Sequence, residues 1–216
     1  MVLGIYGAGG NGKTVVDLAR YINRHKKTWD RIVFIDDVTQ EKNVYNTDVY
    51  PFKEAIEIFD KNEIEYVISL GEPADREMLF NRLKENGCRM GTLINPNAWL
   101  PDDLKMGEGI ILGDCTVGSD TYIGDNVFVS QDAVIGHDTN IGSHGVVSAG
   151  CFIAGHCNIG NKVYVGPRSA LRDRIKVEDN AIIAIGAVVF KDVPGNVIAL
   201  GNPAKHIKKD DNYRIF

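Results

Sequence analysis

An aliphatic residue recurs at every sixth position through more than a third of the chain, from Ile111 to Val189. Neither the turn of an α-helix nor the alternation of a β-strand requires a period of six, and a fixed self-similar period indicates a repeat fold. Small residues follow many of these positions, which predicts a chain that turns sharply and often. Short strands whose inward residues stack from coil to coil would bury one continuous aliphatic column. The aliphatic positions are Ile111, Val117, Ile123, Val129, Ile135, Ile141, Val147, Ile153, Ile159, Val165, Leu171, Val177, Ile183 and Val189.

A glycine-rich loop lies near the start of the chain. A predicted buried strand at 2–6 leads into the sequence GAGGNG at 7–12, which opens an amphipathic helix. Such a turn lets the backbone approach an anion, and the helix N-terminus supplies free N–H donors. A second predicted strand, 31–35, ends in Asp36 and Asp37, where dinucleotide-binding proteins carry a ribose-binding acidic residue. The pattern favours a nicotinamide dehydrogenase, but it also fits glycines that only shape a tight βα turn.

The βα pattern stops early. It continues through a helix at 52–59, a strand at 66–70, a helix at 75–86 and a strand at 91–94. These units are too few for a complete two-halved dinucleotide fold. The sequence therefore predicts a domain that binds a single nucleotide. A proline-punctuated junction at 95–103 leads into the repeat.

Composition excludes several classes of protein. The 216 residues carry a formal net charge of −5, which offers no basic footprint for nucleic acid. There is no apolar run long enough to span a bilayer and no signal-peptide pattern at the N-terminus, so a cytoplasmic protein is expected. The cysteines form no CxxC pair and are expected to be small buried thiols. A zinc site from His156, Cys157 and Cys151 would lack the ligand spacing of known sites, and no metal is predicted.

The six-residue repeat and the glycine-rich loop together resemble the hexapeptide-repeat acyltransferases. Within them, the sequence is most similar to the nucleotide-sugar acetyltransferases of the sialic acid O-acetyltransferase and UDP-4-amino-sugar N-acetyltransferase group. The resemblance implies an α/β Rossmann-like, nucleotide-sugar-binding domain at 1–95. It implies an all-β left-handed parallel β-helix at 96–216, ending in a C-terminal tail. It also implies a homotrimer with coenzyme A lying between neighbouring subunits.

The resemblance places the chemistry at His137. Histidine is the usual general base at neutral pH, and acetyl transfer to an amine or hydroxyl needs a base for the acceptor's proton. His137-Asp138 looks like the family's catalytic histidine and its acidic neighbour, although adjacent residues face each other only if the chain turns there. Gly155, three steps along the repeat, would supply the oxyanion N–H. From the residues alone, His137 also fits a solvated corner, and His144 and His156 are expected to pack at corners.

The binding residues follow from the same resemblance. The nucleotide sugar is expected at Gly7, Gly9, Gly12, Asp36, Asp37 and Gly71. Coenzyme A is expected at His144, Gly155, Ala184, Gly201 and Lys205. For the basic residues near the C-terminus, a solvated tail fits the charge pattern equally well. Some relatives carry a second histidine nine residues after the base, where this chain has Val146.

The function predicted is acetyl-CoA-dependent N-acetylation of a nucleotide-linked 4-amino-4,6-dideoxy sugar, by direct transfer with His137 as the base. The acetyl-CoA would be a co-substrate, and no metal would take part. O-acetylation of a sialic acid or a related sugar is the alternative within enzymes. A trimeric nucleotide-sugar-binding module without catalytic activity is the alternative outside them.

Overall fold

The N-terminal part of the chain is a six-stranded, mostly parallel sheet with three helices. The computed structural model describes residues 1–210 and 213–215. The order in the sheet is β3-β4-β2-β1-β5-β6, with only the β3–β4 pair antiparallel. The elements are β1 (Val2–Tyr6), α1 (Gly10–His25), β2 (Arg31–Ile35), β3 (Asn43–Val44), β4 (Thr47–Tyr50), α2 (Phe52–Ile58), β5 (Ile64–Ile68), α3 (Pro73–Glu85) and β6 (Arg89–Met90).

Two parts of this domain differ from the sequence-based expectation. The β3–β4 hairpin was not predicted, and its turn is made by Tyr45 and Asn46, both with left-handed backbone conformations. The single strand predicted at 91–94 was wrong, because the chain pairs along β5 only through Met90 and then crosses to a different sheet. Short two-residue strands carry too little pattern to reveal such a crossing.

The rest of the chain forms a three-sided parallel β-helix of the left-handed type. Face I contains five strands, face II contains five, and face III contains eight, of which β24 is an antiparallel edge strand. In the central coils, residue i pairs with residue i+18, as Val117 does with Ile135. Face I consists of β10 (Thr116–Val117), β13 (Val134–Ile135), β16 (Phe152–Ile153), β19 (Ala170–Leu171) and β22 (Val188–Val189). Face II consists of β8 (Lys105–Met106), β11 (Tyr122–Ile123), β14 (Asn140–Ile141), β17 (Asn158–Ile159) and β20 (Lys176–Val177). Face III consists of β7 (Leu93–Ile94), β9 (Ile111–Leu112), β12 (Phe128–Val129), β15 (Val146–Val147), β18 (Tyr164–Val165), β21 (Ile182–Ile183), β23 (Val197–Leu200) and β24 (Lys205–Lys208).

The corners between faces repeat with the same period as the core. From Asp120 to Gly186, every sixth residue has a positive φ, close to +53° to +67°. Asp and Asn, which tolerate this conformation, occupy several of these corners, and Gly occupies two. The residue just after each inward aliphatic position lies against the next coil. At Gly118, an added Cβ would be 2.5 Å from the backbone nitrogen of His137, which explains why small residues occur there.

The inward column is buried as the repeat predicts, but its first position is wrong. Leu112, not Ile111, lies in the column, and Val117 follows it after five residues. The same frame extends backwards through Met106, whose strand pairs with Tyr122–Ile123. One residue is missing from the corner after Leu112, and two are missing after Val189, where Val193 takes the next inward position. Adjacent aliphatic residues at 111 and 112 conceal this shift of frame in the sequence.

Face III packs against the N-terminal domain. Its outward side chains are apolar on every coil, and they are buried in one cluster with residues of β1 and α1. Arg76 of α3 is fully buried at this contact and donates to the backbone and side-chain oxygens of Asn126. The two domains therefore form one packed unit, with faces I and II directed away from the sheet. The outward residues are Leu93, Ile111, Phe128, Val146, Tyr164, Ile182 and Ile198.

None of the helices found in the described residues is both long and apolar enough to cross a membrane.

Candidate active site

The His137-Asp138 pair lies at a corner between faces I and II. Asp138 has φ +55°, so the chain turns at this residue and the condition for a contact between neighbours is met. His137 Nδ1 and Asp138 Oδ2 are 2.6 Å apart. Both side chains are about half exposed, at 58% and 45%. The pair therefore stands at an open edge of the prism, where a second molecule can reach it.

The charge at this corner determines which imidazole nitrogen is available. The hydrogen bond from His137 lowers the pKa of Asp138. Burial opposes this shift, while the nearby His156 and Arg174 add to it. An ionised carboxylate accepts the proton on Nδ1, which leaves Nε2 of the neutral ring with a free lone pair. This arrangement can accept a proton at Nε2, and the carboxylate then stabilises the imidazolium.

Gly155 lies against the imidazole from the next coil. A Cβ at this position would be 2.9 Å from His137 Nε2 and 2.9 Å from Cε1, so only glycine fits without moving the ring. The Gly155 N–H donates to no acceptor among the residues that the structure describes, while its carbonyl accepts from Arg174. An unpaired N–H in the residue that packs against the His137 imidazole has the chemistry of an oxyanion donor.

His156 belongs to this corner, although the sequence analysis assigned it to packing. Its ring meets that of His137 edge to face at 5.1 Å, and its Nδ1 is 3.9 Å from Asp138 Oδ2. His156 follows Asp138 by 18 residues, which is one coil, so the repeat spacing carried a signal for this contact. Ligand atoms of His137, Asp138 and His156 lie within 4.8 Å of one another.

His144 lies at another corner, between faces II and III, in contact with the N-terminal domain. Asn126 Nδ2 lies 3.1 Å from its Nδ1, and the ring of Phe80 packs against it at 5.1 Å. Burial lowers the pKa of His144. Its predicted contact with coenzyme A is not assembled with His137 within one chain, and it stays a prediction.

The glycine-rich loop borders a cavity of about 230 Å³ at the ends of β1 and β5. Gly7 has φ +104°, and a Cβ at Gly12 would be 2.1 Å from the carbonyl oxygen of Gly7. The Ser69 hydroxyl donates to the carbonyl oxygens of Tyr6 and Gly7, at 2.8 and 3.0 Å, and so holds the start of the loop to the end of β5. The structure thus brings together four of the predicted nucleotide residues: Gly7, Gly9, Gly12 and Gly71.

The two aspartates after β2 have different surroundings. Asp36 accepts the Ala8 N–H at 2.8 Å, and its other oxygen accepts two further backbone amides. Asp37 accepts from Tyr6 Oη and Arg82 Nη1, each at 2.6 Å. Burial raises the pKa of Asp37, but hydrogen bonds from Tyr6, Phe52 and Arg82 outweigh it and hold the pKa below its usual value. Asp36 is therefore bound to the glycine loop, whereas Asp37, which is exposed, is paired with Tyr6 and Arg82.

The remaining predicted coenzyme residues lie towards the end of the β-helix. Ala184 follows β21, and its N–H donates to Ala199 one coil later. Gly201, with φ +94°, accepts from the backbone of Val188 through its carbonyl. Lys205 begins β24, on the outer edge of face III. Within one chain these residues are not gathered around His137.

Known proteins share both the sequence and the fold of this chain. Residues 2–83 match the family model described as the PglD N-terminal domain. The Saccharomyces cerevisiae protein YJL218W, whose name describes it as an acetyltransferase, is 33% identical over 147 residues, 63% of this chain and 74% of that protein. The chain belongs to the hexapeptide-repeat acetyltransferases.

Two solved structures of acetyltransferases extend the likeness over nearly the whole chain. The acetyltransferase domain of PglB from Neisseria gonorrhoeae, in complex with acetyl coenzyme A, is 26% identical, with a TM-score of 0.89 and coverage of 95% of this chain and 98% of that one. A single-residue mutant of perosamine N-acetyltransferase from Caulobacter crescentus, in complex with CoA and GDP-perosamine, is 21% identical, with a TM-score of 0.88 and coverage of 97% of this chain and 98% of that one. At that identity, the second likeness shows the fold alone. As a hexapeptide-repeat acetyltransferase, this chain is an acyltransferase that uses acetyl-CoA as its co-substrate.

Proposed function

We propose that this protein transfers the acetyl group of acetyl-CoA to the amino group of a nucleotide-linked 4-amino-4,6-dideoxy sugar. The observation that carries the proposal is the corner at which Asp138 holds Nδ1 of His137 and Gly155 packs against Nε2. A glycine-loop cavity in the same chain supplies a site suited to the nucleotide part. The like-folded perosamine N-acetyltransferase was solved with CoA and GDP-perosamine, a nucleotide-linked sugar of the same chemical class.

In this reaction, His137 Nε2 accepts a proton from the sugar amine as the nitrogen attacks the thioester carbonyl. The carbonyl oxygen becomes an oxyanion, to which the Gly155 N–H donates a hydrogen bond. Collapse of the tetrahedral intermediate forms the amide and breaks the carbon–sulfur bond, and the imidazolium returns its proton to the leaving thiolate. The cysteines in the β-helix, Cys115, Cys151 and Cys157, are buried, so no covalent acyl-enzyme is required or favoured.

The reacting groups are contributed by two subunits. The N-terminal domain packs on face III, whereas His137 lies at the opposite edge, between faces I and II. One chain therefore does not bring its own glycine-loop cavity to its own His137. A neighbouring copy would hold the sugar nucleotide next to the half-exposed His137 and cover its open side. The structure contains a single chain, and the homotrimer is part of the proposal.

Face I supports association between copies. Its outward row is mainly apolar, in contrast to the polar row of face II, and Phe152 and Trp99 are exposed at 50% and 63%. Exposed aromatic side chains of this kind are enriched at protein interfaces. The outward row of face I is Thr116, Val134, Phe152, Ala170 and Val188, and that of face II is Lys105, Tyr122, Asn140, Asn158 and Lys176.

A thiol-release assay tests the proposal. Acetyl-CoA is offered with UDP-, dTDP- and GDP-linked 4-amino sugars, with the corresponding 4-hydroxy sugars and with sialic acid. We expect free CoA thiol to be released from acetyl-CoA when an amino sugar is present. Mass spectrometry should then show an N-acetylated sugar product. Release only with hydroxyl acceptors would favour O-acetylation, and binding without release would favour a non-catalytic module. The cytoplasmic location of the protein remains a prediction from the sequence.

A further inference from the structure

A basic side chain from the far end of the protein reaches the glycine-loop cavity. Arg214, in the tail after the β-helix, lines this cavity together with the glycine loop and the start of α3. Among the described residues that line the cavity, it is the one that carries a positive charge. No feature of the sequence pattern connected this residue with residues 7–12.

Two carboxylates of the N-terminal domain hold the tail in this place. Arg214 Nη2 donates to Asp75, and its Nε lies 4.0 Å from Glu72 Oε2. The next residue, Ile215, donates its backbone N–H to Glu72 Oε2 at 2.8 Å. The Glu72 side chain is only 10% exposed, so this oxygen faces the tail rather than bulk water. The position of Arg214 is therefore fixed by backbone and side-chain contacts together.

Without Arg214, one side of the cavity would attract an anion and the other side would repel it. The glycine loop and the N-terminus of α1, whose first turn carries no acidic residue, favour an anion. The opposite wall carries Glu72 and Asp75, which would repel one. Arg214 partly neutralises this wall. A guanidinium has five donors in a planar fork, so it can keep a carboxylate and also bind a phosphate oxygen.

We propose that Arg214 is a phosphate-binding residue that completes the nucleotide site, with Asp75 orienting its guanidinium. The inference rests on the proposed function, because it assigns the diphosphate of the nucleotide sugar to the glycine-loop cavity. It makes the C-terminal tail responsible for the preference for a nucleoside diphosphate over the bare nucleoside. Arg214 contacts the diphosphate of the substrate and not its reacting amine. It therefore affects substrate binding and not the chemical step.

The test is calorimetric titration of the full-length protein with UDP, dTDP and GDP and with the three matching nucleosides. Arg214→Ala and Arg214→Gln are compared with wild type, and Gln keeps a hydrogen-bond donor to Asp75 without the charge. Lys209→Ala is the matched control, since Lys209 is a basic residue of the same tail that donates to Asn180 and does not line the cavity. We expect both Arg214 variants to raise the Kd of the preferred diphosphate about 10- to 100-fold. The Kd values of the nucleoside and of CoA, and the kcat at saturating nucleotide sugar, should stay within about twofold.

Three outcomes overturn the inference. A folded Arg214→Gln protein that binds the diphosphate like wild type would show that the guanidinium does not contact phosphate. Tighter binding by either variant would show that the tail obstructs the cavity. An equal loss for diphosphate and nucleoside would indicate a structural role for the tail. If wild type itself binds none of the diphosphates, the proposed function fails first, which separates the two failures.

Discussion

The left-handed turn at Asp138 is the feature that converts a sequence neighbour into a hydrogen-bond partner. On an extended strand the two side chains would lie on opposite sides. At φ +55°, the Asp138 carboxylate instead reaches His137 Nδ1 at 2.6 Å. The repeat places Gly155 and His156 against this pair from the next coil, so four functional groups at one corner follow from a single structural period.

His137→Ala removes the proposed base, and we expect kcat for the amine acceptor to fall about 10²- to 10⁴-fold. Asp138→Asn keeps an acceptor for Nδ1–H but loses the charge that stabilises the imidazolium, so its kcat should fall less. The thiol-release assay measures both values. His25→Ala is the control, because His25 is an exposed histidine at the end of α1, outside the repeat. A His137→Ala protein with kcat within about twofold of wild type would contradict the assignment.

The β-helix was the most predictable part of the chain, because every coil buries aliphatic residues at the same positions. The aliphatic period predicted the inward column, and the column is buried from Val117 to Val189. The deletion after Leu112 could not be located, since Ile111 and Leu112 are both aliphatic and both buried, one on each side of the strand. Arg76 was also missed, because arginine is usually exposed and no pattern marks one that binds buried carbonyls.

The contact between the domains contains a histidine whose protonation opposes folding. Burial lowers the pKa of His144 below 6.5, so between the folded and unfolded pKa values the unfolded chain binds more protons. The His144 contribution to stability is therefore complete above about pH 6.5 and decreases as the pH falls below it. We expect the midpoint of thermal unfolding to fall between pH 7 and pH 5.5, and to fall less in His144→Asn.

Asn is chosen for this variant because it tolerates φ +63°, the backbone angle of His144. The charged groups that face His144 are Glu77, Asp125, Arg76 and Lys162. Differential scanning calorimetry at both pH values measures the effect. An identical pH dependence in the two proteins would exclude His144 as a source of the acid sensitivity.

At the scale of the whole molecule, each catalytic site of the proposed homotrimer is shared by two subunits. The packing of the N-terminal domain on face III separates the glycine-loop cavity from the His137 of the same chain. The resemblance predicted a trimer from the sequence, but the surface that supports it, the apolar row of face I, becomes apparent only when every third strand is aligned in the fold. The identity of the sugar is not encoded in the repeat at all.

Mixing two inactive variants tests the shared site most directly. One is His137→Ala, and the other is Gly9→Phe, which fills the cavity at a position with φ −74° and no atom within 4 Å of an added Cβ. After denaturation and refolding of an equal mixture, the thiol-release rate is measured on the recovered oligomer. Shared sites predict recovery of about a quarter of the wild-type activity, because that fraction of random interfaces joins two intact halves. A mixture as inactive as its separate components would contradict a shared site, since sites built within single chains are never restored by mixing.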